Sequence, residues 1–144
     1  MKPSTILLWL CTGLALCACQ PDQSVTEQTL QVLNAQIRAL LPGRDTTAGY
    51  FTLTNNTGQR VTLTGAHSNT ARAIEMHETV VRGDSVSMVR VKQLTLTAGE
   101  SANFEPGGKH LMIFGVAEIA EPFEINLQFD SGKQLTASFS KLRN

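Results

Sequence analysis

The 144-residue chain has no cysteine after position 19. Its three cysteines, Cys11, Cys17 and Cys19, all sit in the N-terminal segment. A disulfide framework, a thiolate metal site and thiol redox catalysis are therefore excluded from everything downstream. Excess charge of one sign is missing too. Twelve Lys+Arg balance twelve Asp+Glu, and the isoelectric point is near 6.8. Nucleic-acid binders and polybasic membrane-surface proteins normally carry a basic excess, so neither class fits. Beyond the N-terminus there is no apolar run of about 18 residues, which excludes a bundle of transmembrane helices. A Ser-His-Asp order, a nucleotide-binding glycine loop and a paired-carboxylate site are also lacking. No enzyme activity is expected.

What is present begins with an address. Lys2 precedes an apolar run from Ile6 to Ala18, too short for a comfortable bilayer span. Leu16-Cys17-Ala18-Cys19 then gives way to polar Gln20-Pro21-Asp22-Gln23. A small residue before a cysteine resembles the bacterial lipobox, with Cys19 as the lipidated residue. The expected organisation is a lipoprotein signal peptide over residues 1–18, a tether over 19–29 and one folded domain over 30–144. The expected location is the periplasmic side of the cell envelope, reached through the lipid anchor. Gln20, rather than Asp, after Cys19 favours the outer membrane. Loss of Lys2 leaves a side-chain charge of about −1.

The domain reads as strands. Tyr50–Thr54 alternates and stops at Asn55-Asn56-Thr57-Gly58, and Arg60–Ala66 reads as its hairpin return. Leu30–Leu41 stops at Pro42-Gly43 and is compatible with a helix on composition. Extended runs follow over Ala73–Val81, Ser87–Val91, Leu94–Leu96, Ala102–Asn103-Phe104 and His110–Phe114. Phe123–Phe129 alternates cleanly, with Phe, Ile, Leu and Phe on one face, and a turn at Asp130–Lys133 leads into Leu135–Phe139. About eight strands predict an all-β, antiparallel Greek-key β-sandwich or barrel.

Chemistry is concentrated in histidine and methionine. On a strand, His110 and Met112 point to the same face, just after Pro106-Gly107-Gly108. Ten residues separate His77 from Met88, with Arg82-Gly83-Asp84 between them, a length that suits a hairpin presenting both as neighbours. Twenty-one residues separate Met88 from His110. This His-x10-Met-x21-His-x-Met pattern resembles the ligand signature of the PCuAC family of periplasmic copper chaperones. Ala48–Asn55, Glu75-Met76-His77-Glu78 and Pro106–Met112 resemble its other segments, so the likeness spans roughly residues 30 to 140.

The resemblance implies a cupredoxin-like fold and one Cu(I) per chain held by His77, Met88, His110 and Met112. It also implies a monomer that hands copper to a recipient such as the CuA centre on cytochrome c oxidase subunit II, with a Sco-type thiol protein as co-worker. Some members carry a methionine shortly after the first histidine, where this chain has Glu78-Thr79. Many carry a Met- and His-rich tail, where this chain ends Lys141-Leu142-Arg143-Asn144, which points to a single site.

The residues themselves agree with such a cargo. Soft thioether selects Cu(I), and imidazole tolerates both copper states. Neutral donors do not favour Mg, Ca or Mn, and zinc prefers Cys, His and carboxylate. A blue-copper centre would need a thiolate. His67 is expected in a surface loop, and Met76 in the core on the face opposite His77. Glu75 and Glu78 are candidates to orient the free ring nitrogen of His77. The competing expectation is a metal-free, lipid-anchored interaction module, in which Met88 and Met112 fill the core.

Overall fold

The computed structural model describes residues 29–143. The signal peptide, Cys19 and the tether, Thr29 excepted, lie outside the described residues. Ten strands and no helix make up the described chain. They are β1 (Leu30–Ile37), β2 (Thr46–Asn55), β3 (Val61–His67), β4 (Ala73–Arg82), β5 (Ser85–Arg90), β6 (Leu94–Leu96), β7 (Ser101–Phe104), β8 (Lys109–Phe114), β9 (Phe123–Phe129) and β10 (Gln134–Lys141).

Hydrogen-bonded neighbours run β5-β4-β8-β7-β2-β1-β10-β9-β3-β6. An additional pairing of β3 with β4, at Ala66 and Ile74, closes the sheet into a barrel, and β8 also pairs with β2 alongside β7. The fold is all-β and cupredoxin-like, as expected. Most pairings are antiparallel, but β1 with β10 and β7 with β8 are parallel. The β1–β10 pair joins strands from opposite ends of the domain, which local patterning does not report, whereas the β7–β8 pair is a single contact, Phe104 with Lys109, across a short turn.

Alternation decides the core. In β2 the odd-numbered positions are buried and the even-numbered ones half-exposed. In β9 Phe123, Ile125, Leu127 and Phe129 all point inward. Phe51 stacks on Phe104 with ring centroids 4.3 Å apart, and Phe139 meets Phe51 edge-on at 5.7 Å.

Two local expectations are corrected. The segment compatible with a helix is the strand β1. Its inward positions shift from Leu30 and Val32 to Ala35 and Ile37 across a register shift between Leu33 and Gln36, where Asn34 has φ 54°. That bulge breaks strict alternation and leaves Leu30, Leu33 and Ile37 at helix-like spacing. The proposed β2–β3 hairpin does not form. β2 pairs with β1, β7 and β8, whereas β3 pairs with β4, β6 and β9. The intervening turn carries the chain across the barrel instead.

The β6–β7 turn is held by Glu100, whose carboxylate accepts from the Thr97 backbone N–H and hydroxyl, each at 2.8 Å. The backbone N–H, then the hydroxyl, lower its pKa from 4.5, against the opposing effect of desolvation. A group with a depressed folded pKa stabilises the fold above its unfolded value and loses that contribution as pH falls through the folded one. Glu100→Gln should therefore lower stability at neutral pH, and the deficit should shrink as pH falls below 4.5. Denaturant unfolding at both pH values checks this. A deficit that stayed constant would show that the charge is irrelevant.

Candidate metal centre

Two tight turns set the site. Gly83-Asp84 links β4 to β5 as a two-residue hairpin loop, with Gly83 at φ 57°. Positive φ at the first central position alone is the type II′ geometry. It pairs Thr79 with Met88 and His77 with Arg90. The second turn is Glu105-Pro106-Gly107-Gly108, closed by Gly108 N–H donating to Glu105 O at 3.0 Å. Gly107 at φ 80° follows proline, the type II arrangement. It delivers the chain into β8 with His110 directly opposite His77 on β4.

Alternation then sorts the faces. Met76, Leu111 and Ile113 enter the core. Glu75, His77, Thr79, His110 and Met112 share the opposite face, and Met88 joins them from β5. Met76 is 4 % exposed, so it is core, as expected. Met88, His110 and Met112 line one cleft of about 330 Å³, walled also by Leu41, Tyr50 and Pro106. His77 stands beside it, its ring centroid 6.1 Å from that of His110. With metal–nitrogen bonds of about 2 Å, two imidazoles at that separation can share one ion after small adjustment. The four candidate ligands are thus on one face of three neighbouring strands.

Exposure differs along the set. His110 is 5 % exposed, and Met88 is 58 % exposed on the edge strand β5. His110 Nδ1 is 3.1 Å from Gly108 O. A carbonyl only accepts, so Nδ1 carries the proton and Nε2 keeps the lone pair. His77 Nε2 lies 2.9 Å from Glu75 Oε2, and His77 Nδ1 is buried with no hydrogen-bond partner. A buried nitrogen left unpaired is costly and calls for a ligand. Its presence beside sulfur donors fits a soft cation.

Glu75 also reaches Arg90 Nη1 at 2.9 Å. Its pKa is lowered, first by the hydrogen bond to His77 and further by the nearby Arg90 guanidinium, against the opposing effect of desolvation. Glu78 does not serve His77. It lies on the other face and pairs with Lys109 Nζ at 2.8 Å. His67 ends β3 rather than lying in a loop, and its Nδ1 accepts from the Gln128 side-chain amide at 3.2 Å. Arg90 was missed by sequence reading, although a two-residue loop at Gly83-Asp84 is enough to place it across from His77. Among the described residues, no group of three or more His, Cys, Asp or Glu converges as a metal cage.

The closed β-barrel with this cleft on its outer face has the fold of cupredoxin-like PCuAC domains. It matches the copper-bound PCuAC domain from PmoF2 with a TM-score of 0.66 at 18 % identity, over 80 % of this chain and 93 % of that one. It matches the solution structure of Cu(I)-DR1885 from Deinococcus radiodurans with a TM-score of 0.63 at 27 % identity, over 85 % of this chain and 86 % of that one. The chain belongs to the LpqE-like family, described as "Putative lipoprotein LpqE-like", whose profile matches residues 30–140. A relative from Leifsonia xyli subsp. xyli, named "Putative lipoprotein Lxx21020", is 29 % identical over 135 residues, 90 % of this chain and 80 % of that protein.

Proposed function

We propose that this protein carries one Cu(I) as cargo in the cell envelope, held by His77, Met88, His110 and Met112. The observation that carries the reading is the cross-strand pairing of His77 with His110, with Met88 and Met112 on the same face and His77 Nδ1 buried and unpartnered. Two thioethers and two neutral imidazoles give a soft, uncharged donor set that needs no thiolate in an oxidising compartment. The relative DR1885, described as Cu(I)-bound, supports the same cargo. Met88 sits at the open edge, where a recipient's ligand can replace it while the buried His110 still holds the ion.

Delivery to a copper acceptor such as a CuA centre belongs to this proposal, as does anchoring through Cys19. The lipoprotein names of the family and of the Leifsonia relative support the anchor. The metal-free module requires Met88 in the core, and Met88 is exposed.

The test is anaerobic Cu(I) titration of the protein from residue 20 onward against a chromophoric Cu(I) chelator, with Zn(II) in parallel. One tight equivalent of Cu(I) and little zinc binding is the expected result. Failure to compete with the chelator would overturn the carrier reading.

A further inference from the structure

A neutral imidazole has one N–H and one lone pair, and only the lone-pair nitrogen can take a cation. In His110 the Gly108 carbonyl settles the choice in favour of Nε2 as donor. In His77 the choice is made by a side chain. Glu75 Oε2 is 2.9 Å from Nε2, and a carboxylate only accepts, so Nε2 keeps the proton. The other Glu75 oxygen is 2.9 Å from Arg90 Nη1, which limits rotation of the carboxylate away from the ring. Arg90 in turn is fixed opposite His77 by the β4–β5 register. The outcome is the buried, unpartnered Nδ1.

Building on the carrier reading above, we infer that Glu75, braced by Arg90, is a positioning residue that holds His77 as the Nε2–H tautomer, so that the ion attaches through His77 Nδ1 but through His110 Nε2. The two histidines are thereby used through opposite nitrogens. This suits two rings facing each other across adjacent strands, because each protonated nitrogen is tied to a protein acceptor.

The test is long-range ¹H–¹⁵N NMR of the histidine rings in the metal-free protein, followed by Cu(I) titration. The wild type should show Nε2–H at His77 and Nδ1–H at His110. Glu75→Leu should give a tautomer mixture at His77 alone and weaken Cu(I) binding about 10- to 100-fold, the usual scale for loss of a group that orients a ligand. Glu75→Gln has one acceptor oxygen for two donors: Arg90 takes it, the amide NH2 then donates to His77 Nε2, and this variant should shift His77 toward Nδ1–H and weaken Cu(I) binding as well. Nδ1–H at His77 in the wild type would overturn the inference, and so would an unchanged tautomer in Glu75→Leu. The wild-type spectrum decides the matter even if Glu75→Leu folds poorly. Expected tautomers without any Cu(I) binding would sink the carrier reading and leave the positioning role standing.

Discussion

Changing Met88 and Met112 together to leucine should leave a folded protein that has lost its Cu(I) affinity by on the order of 100-fold or more, since even groups that only orient a ligand cost 10- to 100-fold. Leucine keeps the volume and the apolar character of methionine, and such exchanges typically cost less than about 1.5 kcal/mol. Met88 is 58 % exposed and contributes little packing to lose. Met112 is half-buried on the outer face of β8, away from the core residues Leu111 and Ile113. What changes is the donor, because a methyl group has no lone pair for a soft cation. Chelator competition reads the affinity, and thermal unfolding reads the fold. Affinity within twofold of the wild type would remove both methionines from the site.

A second large effect is expected far from the cleft. Asn55 is fully buried at the end of β2. Its amide nitrogen donates to the carbonyls of Gln59 at 2.8 Å, Thr97 at 2.9 Å and Leu96 at 3.1 Å. Its oxygen accepts from Thr57 N–H at 3.0 Å and from the Thr57 hydroxyl at 2.6 Å. One side chain thus ties the β2–β3 turn to the end of β6. Asn55→Ala strips partners from all of these groups at once. Each buried polar group left unsatisfied costs about 1–3 kcal/mol, so the total should reach about 3 kcal/mol or more. That corresponds to a melting temperature lower by roughly 10 °C or more in a domain of this size. Cu(I) affinity of the folded variant should be unchanged, because Asn55 lies five residues along β2 from Tyr50, which lines the cleft. Denaturant unfolding measures the loss. A deficit below 1 kcal/mol would mean that water or a shifted backbone replaces the amide.

Met88, Met112 and Asn55 also mark how far the sequence was legible. That His77, Met88, His110 and Met112 share one face was within reach of spacing, because β4 and β5 are joined by a two-residue turn and β8 follows a Pro-Gly turn, while their reading as a ligand set came from the family resemblance. β9 could be read because its alternation is unbroken and one face is wholly apolar. β1 could not, since the bulge at Leu33 to Gln36 moves the inward face from even to odd positions. The turn after Asn55 was visible, yet a turn signal does not say whether the chain folds back or crosses to the far wall. That is decided by the buried Asn55 amide, whose partners at Leu96 and Thr97 lie some forty residues away. The separation of Glu75 from Glu78 was within reach of alternation alone, since positions three apart on a strand point to opposite faces. The Arg90 brace needed the hairpin register.

The edge position of β5 has a kinetic side. Among the described strands, β5 is hydrogen-bonded to β4 alone. Opening that hairpin is a local event whose free energy is separate from the energy that unfolds the barrel. Met88 and Arg90 ride on the same strand, so one fluctuation would withdraw both the proposed sulfur donor and the proposed brace behind His77. On the carrier proposal, the dwell time of the cargo would be set by the breathing of six exposed residues, while the closed barrel beneath them can be as rigid as stability demands.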